Sequence, residues 1–142
     1  MIMAACTSVA NAQETSEPSA EAEASNAMTL SIELNALQDV DRGCRASFLV
    51  KNDLSTPTEE LGLELAVFGA GGGLERLVLL RFGALPEAKS RVRQFDLEDL
   101  RCGDVSRVLV NDVVSCSGGA LTPASCLAAT RSVNGTDVPF GL

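Results

Sequence analysis

Residues 61–82, LGLELAVFGAGGGLERLVLLRF, decide the fold. In the first eight, Leu61, Leu63, Leu65 and Val67 alternate with smaller or polar neighbours, the period-2 pattern of a strand with one buried face. Leu74–Phe82 is less clear, because Leu74, Leu77 and Val78 also fit a helical period. The run is short and strand-like segments surround it, so strand is the expectation. Gly69–Gly73 then joins two strands as a hairpin loop.

Working outward, the same alternation returns. Thr29–Asn35 places Leu30, Ile32 and Leu34 on one face, and Cys44–Lys51 does so with Cys44, Ala46, Phe48 and Val50. A turn over Asp39–Gly43 separates them, and Asn52–Glu60 reads as a loop around Pro57. Past the break at Gly83–Pro86, strands are expected over Arg91–Leu97, Val105–Val114 and Val133–Phe140. Thr122 followed by Pro123 suits a helix N-terminus, so a short helix is expected over Ala124–Thr130. Six or seven strands at about ten-residue spacing predict an all-β, antiparallel β-sandwich over residues 28–142, with one short C-terminal helix.

Composition narrows the function. The chain has 142 residues, 46% of them hydrophobic, and 19 acidic against 11 basic residues, a formal charge of -8. It has no histidine, tryptophan or tyrosine. Without histidine there is no imidazole acid/base catalysis and no histidine metal ligand. The acidic balance opposes nucleic-acid binding, and no apolar run approaches the ~20 residues of a helical membrane span.

Residues 1–12, MIMAACTSVANA, end in an Ala-x-Ala pattern and read as the remnant of an export signal. A basic n-region is missing, since the first basic residue is Arg42. Met3-Ala-Ala-Cys6 offers a lipoprotein-type alternative. Residues 13–27 carry Glu14, Glu17, Glu21 and Glu23 with nothing to fill a core, and are expected to be an acidic disordered linker. Without those four glutamates, 15 acidic residues face 11 basic ones.

Cys44, Cys102, Cys116 and Cys126 then form an even set, expected as two disulfides in an oxidising compartment. The preferred pairs are Cys44–Cys102, as a bridge between sheets, and Cys116–Cys126, around a loop holding Gly118, Gly119 and Pro123. No pair has the close spacing of a zinc site or the C-x-x-C of a redox site.

Other candidates are weak. Gly69–Gly73 lacks the residues of a phosphate loop. Asp39 and Asp41 flank Gly43 as in a calcium turn but supply too few oxygens. Asp96, Glu98 and Asp99 cluster, as do Glu59 and Glu60, without the aromatic residues that usually line a glycosidase cleft. Lys51 and Lys89 are the lysines available to a serine–lysine dyad. Asn134-Gly-Thr136 matches a glycosylation acceptor. Arg76, Arg81, Lys89, Arg91 and Arg93 form a basic group whose alternate members, on neighbouring strands, could share a face and bind an acidic partner, although a charged outer face that keeps a sheet edge soluble is the favoured reading.

LSIELNALQDVDRGCRASFLVKND, LGLELAVF, FGALPEAKSRVRQFDL and VLVNDVVSC resemble a family of small exported alphaproteobacterial proteins, often labelled only by a twin-arginine signal. The resemblance covers about residues 29–130 and implies a periplasmic or secreted setting with a cysteine framework. It transfers no catalytic residue. More loosely, the strand order is similar to immunoglobulin-like accessory domains of bacterial envelope proteins, without their tryptophan. The expected function is therefore that of a non-catalytic periplasmic β-sandwich. It would bind or support another envelope protein through a strand edge or the arginine-bearing face, with no cofactor, metal, nucleic acid or membrane span. The alternatives are a ligand- or metal-binding protein and an enzyme built on carboxylates.

Overall fold

The structure, a computed structural model, describes residues 28–142. The expected export remnant and acidic linker lie outside the described residues. Eight strands form: β1 (Leu30–Val40), β2 (Gly43–Asn52), β3 (Glu60–Phe68), β4 (Leu74–Arg81), β5 (Ser90–Glu98), β6 (Arg107–Ser117), β7 (Thr130–Asn134) and β8 (Phe140–Gly141). A 3-10 turn spans Cys102–Asp104, and one helix, α1, spans Pro123–Ala129. Two four-stranded sheets result, in the orders β5-β2-β1-β7 and β4-β3-β6-β8. The fold is thus an all-β sandwich with a short C-terminal helix.

The alternating residues fill its interior. Leu30, Ile32, Leu34, Cys44, Ala46, Phe48 and Val50 from the first sheet meet Leu61, Leu63, Leu65 and Val67 from the second, all buried. Phe48 sits at the centre, edge-on to Phe82, Phe95 and Phe140 with ring centroids 5.8, 6.0 and 5.9 Å away. Four of the five phenylalanines thus meet in one cluster, where edge-on rings add to plain area burial.

Three details depart from the sequence reading. The first hairpin turn is only Asp41-Arg42, because β1 continues to Val40. A bulge between Leu34 and Ala36 inserts one residue and inverts the alternation, which hides the second half of the strand from a period-2 search. The sheets are also not wholly antiparallel, since β7 runs parallel to β1 and β8 parallel to β6. Finally, the single strand expected over Val133–Phe140 is two short ones in different sheets. Gly135 makes the turn between them, where an added Cβ would lie 2.7 Å from the Leu34 carbonyl.

Helix α1 forms where expected. The Thr122 hydroxyl accepts from the Ser125 N–H, and Ser125 Oγ accepts in return from the Thr122 N–H, a closed capping box.

The crossings between sheets are tied down. Cys44 joins Cys102 at the β5–β6 crossing, and Cys116 on β6 joins Cys126 in α1. These are the two expected pairs. Cys102, however, lies in the turn leading from one sheet to the other rather than on a strand of the second sheet. Its N–H donates to Asp39 Oδ1 at 2.9 Å. Each bridge restricts the unfolded chain, a stabilisation of ~2–4 kcal/mol.

The other two long crossings share Asn52, which is fully buried. Its Nδ2 donates to the carbonyls of Thr56 and Leu85, and its Oδ1 accepts from the Leu54 N–H at 2.9 Å. One side chain thereby holds the β2–β3 loop against the β4–β5 loop. Asn52→Ala strands the buried Leu54 N–H, so a loss of about 2–3 kcal/mol is expected in a urea melt. Asn35→Ala, at an exposed position, should change the midpoint little.

Candidate interaction surface

A strand has an inner and an outer face, and at the border of a sheet it also has an unpaired edge. Here β4 and β5 are the border strands on the same side of the sandwich. What each does with its edge sets the character of the site.

On β5, Arg91, Arg93, Phe95 and Leu97 point between the sheets, while Ser90, Val92, Gln94, Asp96 and Glu98 face solvent. The Asp99 N–H donates to the Arg42 carbonyl, and the Asn52 N–H to the Lys89 carbonyl. With the β2–β5 register, this parity turns the backbone of the odd residues toward β2 and that of the even residues toward the free edge. Two of those edge carbonyls are occupied by arginine. Arg93 Nη1 donates to Val92 O at 3.3 Å, and Arg76 Nη1, reaching from β4, donates to Glu98 O at 2.8 Å. Arg93 Nε also donates to Phe82 O at 2.8 Å, tying the two border strands together. Inward-pointing charges and capped carbonyls are devices that keep an edge from pairing with another strand.

On β4 the arrangement is different. Val78 and Leu80 point inward. Leu77, Leu79 and Arg81 lie on the outer face, and Glu75 is the extra residue of a bulge opposite Val67, its side chain lying over Gly69. The Phe82 N–H donates to the Leu61 carbonyl, so Val78 and Leu80 pair with β3, while the odd residues Leu77, Leu79 and Arg81 present their N–H and C=O to the edge. Among the described residues, no side chain hydrogen-bonds those odd-residue groups. Leu74, Leu77 and Leu79 are 57, 51 and 53% exposed, three of the largest apolar exposures on the described surface. Leu77 lies beside Ala66, which in turn lies beside Leu109, giving a continuous apolar row across the outer face. Polar residues bound this row. Arg81 Nη1 donates to Glu60 Oε1 at 2.9 Å, Asn111 Nδ2 donates to Glu64 Oε1 at 2.6 Å, and Arg107 lies 5.5 Å above the Phe68 ring.

The basic group read from the sequence is therefore divided. Arg76, Arg91 and Arg93 gather between the sheets at the β4–β5 border. Arg81 stands on the outer face, and Lys89 is exposed in the turn before β5. Arg91 Nε is buried without a hydrogen-bond partner among the described residues.

The other candidates have structural employment. Gly69–Gly73 closes on itself through Gly69 N–H to Gly73 O and Gly72 N–H to Gly69 O, with Gly72 at φ 83°, where glycine is favoured. Asp39 holds the Cys102 turn. Asp96 sits directly across from Arg45 and pairs with it through two hydrogen bonds of 2.7 and 3.0 Å. Lys51 pairs with Asp53 at 3.3 Å, and Asn134 Oδ1 accepts from the Phe140 N–H. No group of three metal-ligating side chains occurs among the described residues. The void between the sheets is about 10 Å3 and lined only by apolar side chains such as Leu65, Val78 and Leu97. The other hollows, around Asp41, Arg42 and Asp99, are shallow and open to solvent.

No family model matches the chain, and neither a curated protein nor a solved structure matches it.

The Arg45 guanidinium holds the Asp96 carboxyl below the usual carboxylate range. A carboxylate with a lowered folded-state pKa adds stability that is complete above its unfolded value of about 3.9 and is lost as pH falls through the folded one. Urea midpoints followed from pH 6 downward should fall more steeply for the wild type than for Asp96→Asn, and the two curves should converge at the acid end.

Proposed function

We propose that this chain is a non-catalytic binding protein of an oxidising compartment, periplasmic or extracellular, and that it takes up a protein partner by strand addition at the edge of β4. The observation that carries the reading is the contrast between the two border strands. One has two of its edge carbonyls, those of Val92 and Glu98, capped by arginine, while the other presents unpaired backbone beside an exposed leucine row. Strand addition supplies affinity through main-chain hydrogen bonds and selectivity through the side chains next to them. An exposed apolar edge is otherwise an aggregation hazard, so its retention favours a use.

The compartment reading is supported by the two disulfides, which persist where thiols are kept oxidised. The non-catalytic reading is supported by the lack of histidine and by a wholly apolar interior void. The resemblance to small exported alphaproteobacterial proteins agrees with the compartment reading. The arginine-bearing side has a narrower part in this scheme. Arg76 and Arg93 obstruct the neighbouring edge at the Glu98 and Val92 carbonyls, which favours β4 as the strand that recruits.

Photo-crosslinking in the producing cell tests the proposal. A photoreactive residue is placed at position 77 on β4, or at position 94 on the outer face of β5 as a control. A protein adduct is expected from position 77, removed by Leu79→Lys, and little adduct from position 94. No adduct from position 77, or equal adducts from both positions, contradicts the reading.

A further inference from the structure

The half-buried guanidinium groups of Arg76, Arg91 and Arg93, at the β4–β5 border, meet no carboxylate among the described residues. The ion pairs there are Arg45–Asp96, Lys51–Asp53 and Arg81–Glu60. Arg76 donates to Glu98 O, and Arg93 donates to Phe82 O and Val92 O, all backbone carbonyls. Arg91 Nε is buried and donates to nothing among the described residues. An arginine is always charged in a protein, and charge drawn out of water is ordinarily paired. Acidic residues outnumber basic ones by 19 to 11 in this chain, so carboxylates were not scarce.

We infer that the partner supplies the missing counter-charge. The strand taken up at the β4 edge comes from another protein and carries an acidic side chain that enters between the sheets and pairs with Arg91 and Arg93. This deepens the strand-addition reading above and rests on it.

The border geometry places the acid within the partner strand. Arg93 reaches from β5 to Phe82 O, and Arg76 reaches from β4 to Glu98 O, each at 2.8 Å. The open backbone of Leu77, Leu79 and Arg81 runs between these two links. In a strand laid beside it, the residues opposite Leu77 and Leu79 share their outward direction, and the alternate residues point inward. The outward positions lie beside leucine and suit apolar side chains. The inward positions opposite Val78 and Leu80 also meet an apolar surface. The inward position opposite Phe82 is different, because it stands at the Arg93 link, and the next inward residue of β5 beyond Arg93 is Arg91. Aspartate or glutamate fits there, since a carboxylate accepts from several guanidinium N–H groups at once. Lysine or arginine there would meet like charge. Arg81 takes no part, because it faces outward and holds Glu60.

Charge substitution at Arg91, read through the position-77 crosslink in the producing cell, provides the test. The full chain carries the photoreactive residue at position 77 together with Arg91→Lys, Arg91→Met or Arg91→Glu. Circular dichroism and the urea midpoint of each purified variant establish that it folds. The adduct should persist with Arg91→Lys, weaken with Arg91→Met, and fall about tenfold or more with Arg91→Glu. If Arg91→Glu fails to fold, Arg91→Met against Arg91→Lys carries the comparison, since those side chains are similar in length and differ in charge. Mass spectrometry of the adduct identifies the captured segment. It should hold an aspartate or glutamate at the inward position nearest Arg91, and exchanging that acid for lysine should restore the adduct of Arg91→Glu. An adduct indifferent to all the substitutions, or a captured segment without an acid at that position, overturns the inference and leaves strand addition standing. A crosslink to residues 13–27 of the same polypeptide also overturns it, because the four glutamates of that stretch would then be the source of the charge. No adduct from position 77 removes both readings.

Discussion

Backbone N–H and C=O groups must be paired, capped or left to water, and a sheet meets that requirement at its borders at some cost. In this sandwich the requirement is met differently on two strands that lie one above the other. On β5, Arg93 and Arg76 occupy the carbonyls of Val92 and Glu98, and the guanidinium groups lie across the gap between the sheets. On β4, Leu77, Leu79 and Arg81 offer their backbone to whatever approaches, with leucine side chains alongside. The arginines thus obstruct part of one edge, and in the proposed function their part is indirect.

That edge needs a stiff support. Four long crossings carry the chain between the sheets, and each is fixed. The Cys44–Cys102 and Cys116–Cys126 bridges secure the two crossings on either side of β6, and Asn52 joins the two that lead into β3 and out of β4. The Phe48 cluster fills the space between. With the loop after β4 tied to the loop after β2, the strand is held in register along its β3 side while its other side stays open.

Much of this was legible in the sequence, and the reasons are specific. The buried alternation of Leu30–Leu34, Cys44–Val50 and Leu61–Val67 is a local property of strands with one wet face, so the sandwich followed from it. The Thr122-Pro123 helix start is equally local. The second half of β1 was hidden because a bulge inverts the alternation at Asn35. The β7–β8 division was hidden because a close backbone approach at Gly135, a tertiary fact, changes the sheet to which the chain belongs. Asn52 looked like a loop residue, since its three partners come from positions that only the fold brings near. The arginines were noticed as a group, but their inward or outward direction depends on strand parity and on which strands form the border. Leu77, Leu79 and Arg81 share a face because residues two apart on one strand do, whereas the bulge that takes Glu75 out of that period has no local signal.

The central claim is that the outer side of β4 is backbone waiting for a strand. Amide hydrogen exchange resolved by residue examines it most directly. The N–H groups of Val78 and Leu80 pair within the molecule and should be protected throughout, whereas those of Leu77 and Leu79 should exchange freely in the isolated protein and become protected once a partner strand is bound. Slow exchange at Leu77 and Leu79 in the isolated protein, or free exchange there in complex with the partner identified through the position-77 adduct, would contradict the account.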